Sequence, residues 1–169
     1  MGRILARMAA ELVPLTRDGD PVVMVGIQRR GVQLADRLTR LIEPELRRPP
    51  LRGTLDITLY RDDLQAIGPR PEVHETKLPQ DLNGATVVIV DDVLFTGRTV
   101  RAALDEIADF GRPRRVLLAV LVDRGGHELP IAADVTGLLA DADPADRVAV
   151  MVSELDAEDA VDLIRGDAR

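Results

Sequence analysis

The apolar positions of this chain alternate between two regimes. Short runs with little polar interruption occur at 21 to 27 (PVVMVGI), 55 to 60 (LDITLY), 86 to 90 (TVVIV), 115 to 122 (RVLLAVLV) and 147 to 152 (RVAVMV). Val-rich runs without strict alternation mark strands buried on both faces of a parallel sheet. Between them, apolar residues recur at helical spacing. Segment 29 to 43 places Val32, Ala35, Leu38 and Leu41 or Ile42 along one side, and segment 97 to 111 does the same with Val100, Ala103, Leu104 and Ile107, with Gly111 as a stop. The opening MGRILARMAAEL carries Ile4, Leu5, Met8 and Leu12 at the same period and predicts a first helix. This alternation predicts an α/β fold: an open, mainly parallel sheet with helices on both faces.

Two stretches break the pattern. Residues 61 to 83 are polar, contain Pro69, Pro71 and Pro79, and exceed a routine connection, so they predict a functional loop. Residues 124 to 146, rich in Gly, Pro and acids, predict a small hood-like surface extension between the last two strands. Neither segment separates parts large enough to fold alone, and 169 residues suit a single domain over 1–169.

Composition narrows the function classes. Aromatics at 2% leave the core to Val, Leu, Ile and Ala and disfavour stacking platforms for single-stranded bases. With no cysteine, thiolate nucleophiles, thiolate metal sites and disulfides are excluded. No run reaches the roughly 18 apolar residues of a membrane span, so a soluble cytoplasmic protein with no membrane partner is expected. A net charge of −7 argues against bulk nucleic-acid binding and leaves room only for a local basic patch.

The stretch VVIVDDVLFTGRTV, 87 to 100, carries the chemistry. Ligands of open α/β sheets bind beyond the carboxyl ends of strands, where Asp91 and Asp92 stand. TGRT then opens a helix near Thr99, whose backbone N–H groups suit an anion, with Thr96 and Thr99 hydroxyls beside them and Gly97 allowing close approach. Acids beside an anion site make sense if they address another part of the same ligand. Vicinal sugar hydroxyls donate well to carboxylates, which implies a ribose phosphate. Taken alone, the acid pair would also serve as a helix cap and TGRT as a plain turn. A Walker B reading falls, because the chain has no GxxxxGK[ST].

The string VVIVDDVLFTGRT resembles the phosphoribosyl pyrophosphate (PRPP) binding motif of type I phosphoribosyltransferases. VGIQRRGVQLADRL (25 to 38), LDITLYRDDL (55 to 64), VDDVLFTGRTVRAALD (90 to 105) and GRPRRVLLAVLVDRGGHELPIAAD (111 to 134) further resemble pyrimidine operon attenuation regulators that are also uracil phosphoribosyltransferases.

That resemblance implies roles. Asp91 and Asp92 would hold the ribose 2′ and 3′ hydroxyls, and PRPP binding would extend over Val93, Leu94, Phe95, Thr96, Gly97, Arg98 and Thr99, whose turn cradles the 5′-phosphate. Gln28, Arg29, Arg30 and Gly31 would receive pyrophosphate, although QRRG alone reads as a solvated helix start. The 61 to 83 segment would close over the reacting centre, with Arg61 and Lys77 as its cations, and Arg124 and Val148 would mark the base site. His74 and His127 are expected at the surface. The implied reaction converts uracil and PRPP to UMP and pyrophosphate. Mg²⁺ is the cofactor, carried mainly by PRPP with no direct protein ligand.

The resemblance also implies homodimers or higher oligomers, and UMP-dependent binding of pyrimidine-gene leader RNA that attenuates transcription. Here the chain departs from the family. After ELPI the family carries basic and polar residues, whereas this chain reads AADVTGLLADADPAD, 132 to 146, adding Asp141, Asp143 and Asp146. Carboxylates on an RNA face repel the backbone. Arg3, Arg7, Arg112, Arg114 and Arg115 would have to gather on one face to compensate. Two rivals follow: a nucleotide-sensing RNA regulator with vestigial catalysis, and a phosphoribosyltransferase for another base.

Overall fold

The computed structural model describes residues 1–17, 19–57, 75–79 and 81–166. The order is α1 (Gly2–Thr16), β1 (Val22–Ile27), α2 (Arg30–Ile42), β2 (Leu51–Leu55), β3 (Thr86–Leu94), α3 (Arg98–Asp109), β4 (Arg115–Asp123), β5 (Val135–Leu139), β6 (Arg147–Met151) and β7 (Ala160–Ile164). Five strands form one parallel sheet in the order β2-β1-β3-β4-β5, and β6 and β7 form a separate antiparallel hairpin.

The period-2 alternation of the strands explains the two faces. Val22 and Met24 of β1 and Val88 and Val90 of β3 meet α1 and α2, through Leu5, Leu12, Leu34, Leu38 and Ile42. Val23, Val25, Val87 and Ile89 point the other way and meet α3 through Val100, Ala103 and Ile107. Both faces are covered, so the central strands read as unbroken apolar runs. Each large side chain buried this way contributes roughly 1.5–3 kcal/mol.

The structure corrects several expectations. The strand expected at 55 to 60 lies at Leu51–Leu55, because β1 offers partners only from Val23 to Ile27 and the Gln28 N–H closes the ladder on the Leu55 carbonyl at 2.8 Å. Segment 124 to 146 holds a sheet strand, β5, and the run at 147 to 152 belongs to the hairpin rather than to the sheet. On the helices, Leu41 and Leu104 are exposed, while Leu34 and Glu106 are buried. β5 is a sheet edge, and Arg7 of α1 covers part of it by donating to the Thr136 and Gly137 carbonyls. That contact blunts an edge that carries no charge of its own.

Two glycines set the turn from β1 to α2. A Cβ on Gly26 would sit 2.6 Å from Gly31 O and Val32 N, and one on Gly31 would sit 2.5 Å from Val90 O. The first turn of α2 is therefore pressed against both β1 and β3, which brings Gln28–Gly31 beside the end of β3. Protein packing thus requires a glycine at position 31.

Candidate active site

Parallel register aligns Gly26 with Val90 and Val120 with Asp91, so the loop after β1 and the acid pair share one edge of the sheet. Asp91 is 6% exposed and Asp92 is half-buried. Each carboxylate accepts the next residue's N–H: Asp92 N to Asp91 Oδ1 and Val93 N to Asp92 Oδ1, both at 2.9 Å. These short loops of hydrogen bonding hold the acids at the strand end. Among the described residues, Asp92 Oδ2 accepts no hydrogen bond, which leaves an oxygen for a ligand.

The chain then turns through Phe95 and Thr96 into Gly97, which caps α3 with φ 90°. That left-handed conformation favours glycine. The helix begins at Arg98, one residue before the expected start, and has no acid in its first turn. Arg98 N–H bonds Thr96 Oγ1 at 3.3 Å, and Arg101 N–H is bonded to the Gly97 carbonyl at 2.9 Å. The N–H groups of Thr99 and Val100 have no partner among the described residues, as expected in the first turn of a helix. With the positive end of the helix dipole, they could receive an anion, seven to nine residues along the chain from the two carboxylates.

A strap passes across this turn. Glu128 and Leu129 donate backbone N–H to the Thr96 carbonyl at 3.1 and 3.2 Å, and Arg98 pairs with Glu128 at 2.8 Å. Arg98 thus points its charge at the strap. His127 bonds Asp123 Oδ1 at 2.9 Å, a carboxylate partner one turn back in the chain that the sequence reading did not supply. Phe95, expected in the phosphate cradle, presents its ring to Arg124, whose guanidinium lies 3.8 Å from the ring centroid.

Arg124 is buried. It donates Nη1 to the Asp146 carbonyl at 2.8 Å and Nη2 to the Asp143 carbonyl at 3.0 Å, while its buried Nε has no partner among the described residues. Its side chain therefore anchors the 143–146 loop beside the site. Val148 packs against the core from the hairpin. Asp146, expected among acids repelling RNA, is 5% exposed. It accepts Gly166 N–H and Asp143 N–H and pairs with Arg165 at 2.6 Å, contacts that hold its carboxyl below the usual range. Of the three added acids, only Asp141 and Asp143 are exposed at the surface.

The five arginines fall into two groups, and Arg7 and Arg114 pair with the neighbouring acids Glu11 and Asp20. Arg3 and Arg7 lie toward the start of α1, whereas Arg112, Arg114 and Arg115 lie at the opening of β4, beside the far end of that helix, where Arg114 pairs with Asp20. About 20 Å of helix separates the two groups.

Lys77 returns to the sheet through backbone bonds with Thr54 at 2.8 and 2.9 Å, but its ammonium is 69% exposed and pairs with Glu75 at 3.0 Å. It makes no hydrogen bond or ion pair with the acid pair. Arg61 and His74 lie outside the described residues.

The same segment rests on a buried acid that the sequence did not flag. Thr76 Oγ1 donates to Glu106 Oε1 at 2.5 Å and accepts the Asp56 N–H at 3.0 Å, and Glu106 Oε2 is buried without a partner among the described residues. Burial pushes the Glu106 carboxyl up; the Thr76 bond opposes this, and Asp56 and Asp109 add to it. A raised carboxyl binds more protons in the folded state, so stability falls as pH rises from the unfolded value to the folded one and stays reduced above it. Glu106→Gln should therefore raise the melting temperature at pH 8, with the gain vanishing toward pH 4. A melting curve at each pH checks this, and a gain that grows on acidification would contradict it.

At the turn between β6 and β7, Arg30 pairs with Asp156 at 2.8 Å, and Arg37 pairs with Glu154 at 2.5 Å and Asp159 at 2.7 Å. These contacts hold Asp159, Asp156 and Glu154 below the usual carboxylate range. Partners more than a hundred residues apart leave no mark in local sequence.

Comparison with known proteins agrees with this geometry. The phosphoribosyl transferase domain family matches residues 1–156. Bifunctional protein PyrR of Thermus thermophilus is 53% identical over 164 residues, covering 96% of this chain and 90% of that protein. Bifunctional protein PyrR of Chloroflexus aurantiacus is 54% identical over 167 residues, covering 98% and 91%. Among solved structures, a hypoxanthine phosphoribosyltransferase from Trypanosoma cruzi superposes with a TM-score of 0.70 at 18% identity, covering 97% of this chain and 90% of its own. One from Staphylococcus aureus gives 0.69 at 17%, covering 98% and 87%. At those identities the two structures speak for the fold. The strand-end acids, the acid-free helix start and the near full-length identity to these relatives lead to one conclusion: the chain belongs to the bifunctional PyrR family of phosphoribosyl transferase domain proteins.

Proposed function

We propose that the protein transfers the ribose 5-phosphate of PRPP to N1 of uracil, yielding UMP and pyrophosphate, and that its UMP complex binds the leader RNA of pyrimidine genes. The observation that carries the first part is the run from Asp91 and Asp92 into the N–H groups of Thr99 and Val100, unpartnered among the described residues, beside the Gln28–Gly31 loop. In this reading the two acids accept the ribose hydroxyls, and residues 93 to 99 take the 5′-phosphate. The Gln28–Gly31 loop receives pyrophosphate, and backbone groups near Arg124 and Val148 face the base. The bond from C1′ to pyrophosphate breaks as the bond from C1′ to N1 forms, and the N1 proton leaves. Fixed donors and acceptors stabilise the charge that develops, and the site needs no strong base.

Mg²⁺ fits this arrangement as an ion arriving on PRPP. It would be held mainly by the substrate phosphates, and Asp92, whose Oδ2 accepts no hydrogen bond among the described residues, is the carboxylate that could supplement them. The ion would supply charge neutralisation for the departing pyrophosphate.

Turnover across a panel of bases at fixed PRPP and Mg²⁺ tests the reading. Uracil should dominate, and dominant turnover of hypoxanthine or guanine would overturn it. Support for RNA binding comes from the relatives, whose name marks them as bifunctional, and from the burial of Asp146, which removes one acid from the surface. Titration of the leader transcript with and without UMP at two salt concentrations checks it. Binding that UMP tightens is expected, and affinity equal to that for a control RNA would leave only the enzyme.

A further inference from the structure

Arg30 joins the proposed leaving-group loop to the turn between β6 and β7. It opens α2 directly after Arg29, and its guanidinium gives Nε to Asp156 Oδ2 at 3.1 Å and Nη2 to Asp156 Oδ1 at 2.8 Å. That uses one edge of the planar fork. Nη1 donates to no described residue, and the charge of Asp92 reaches the same guanidinium.

Asp156 is itself fixed. Its Oδ2 accepts the Val152 N–H at 2.9 Å, and its own N–H bonds the Val152 carbonyl at 2.7 Å. The turn that carries it is tied to α2 a second time. Arg37 reaches Glu154 at 2.9 and 2.5 Å and Asp159 at 2.7 and 2.8 Å. The Arg30 pair is thus not alone in holding that turn in place.

We propose that Asp156 is a positioning residue: it fixes Arg30 so that the free Nη1 edge faces the departing pyrophosphate. Bidentate pairing with Asp156 fixes the plane of the Arg30 guanidinium. Remove it, and the guanidinium loses that orientation, which withdraws it from pyrophosphate and leaves the acids that hold the ribose untouched. The inference rests on the phosphoribosyltransferase reading above.

Steady-state kinetics of the full chain tests it, with uracil and PRPP forward and UMP and pyrophosphate in reverse. Asp156→Asn should raise KM for PRPP and for pyrophosphate about 10-fold, as a small misplacement of a binding group does. The Kd of UMP, measured without pyrophosphate, should stay within about 2-fold, because UMP lacks the group Arg30 addresses. Arg30→Lys, which leaves the turn untouched, should reproduce the KM change, because an ammonium cannot form the fork. In an Arg30→Ala background, Asp156→Asn should add nothing further. A purely structural role predicts parallel weakening of UMP and PRPP, and that result would overturn the proposal. So would unchanged KM values in Asp156→Asn, or losses that add across the two sites. A wild-type chain that turns over no uracil would instead overturn the reaction assignment, and this inference with it.

Discussion

Asp91→Asn combined with Asp92→Asn should reduce PRPP-dependent UMP formation on the order of 10³-fold or more, with the melting temperature nearly unchanged. The scale follows from losing two charge-assisted contacts that fix the sugar where C1′ must meet its nucleophile. The fold should survive, because an asparagine oxygen can accept the adjacent N–H that each carboxylate accepts. UMP binding should weaken alongside turnover, since both ligands present the same ribose hydroxyls. Initial rates and a melting curve on the double variant suffice, and turnover within 10-fold of the wild type would remove the acid pair from the site.

Gly26→Ala should cost about 3 kcal/mol, the upper end for overpacking a core, and lower the melting temperature by about 6 to 12 °C for a chain of this size. The new methyl would meet the backbone of Gly31 and Val32, with contacts at 2.6 Å that no side-chain rotation relieves. α2 would have to move away from β1. Because Gly31 is in turn pressed against Val90 O at the end of β3, the displacement passes into the Gln28–Gly31 loop, and KM for PRPP should rise even in molecules that remain folded. Thermal unfolding with kinetics on the same preparation checks both parts. A melting temperature within 2 °C of the wild type would mean that the strand-to-helix contact is looser than described.

The sheet's interior and its acid pair were legible because their signals are local. A strand buried on both faces needs a continuous apolar run wherever its neighbours lie, so β1, β3 and β4 could be placed within a few residues, and the helical period located all three helices. Asp91 and Asp92 stand out by following such a run directly and preceding a glycine and two threonines. Where the signal weakened, the reading slipped. β2 contains Arg52 and Gly53 on a sheet edge, and its strand was placed on the more β-like residues after it. β5 ends in exposed leucines and went unseen.

Partnership of charged groups was beyond the sequence, for a physical reason. Whether Asp146 repels RNA or holds Arg165, and whether Arg30 is a free cation or one half of a fork with Asp156, depends on which distant residue packs beside it. Buried charges persist only where a partner compensates their lost hydration. Composition counted the charges; the contacts of the hairpin, between its own flanks and onto α2 across more than a hundred residues of chain, decided which of them were already taken.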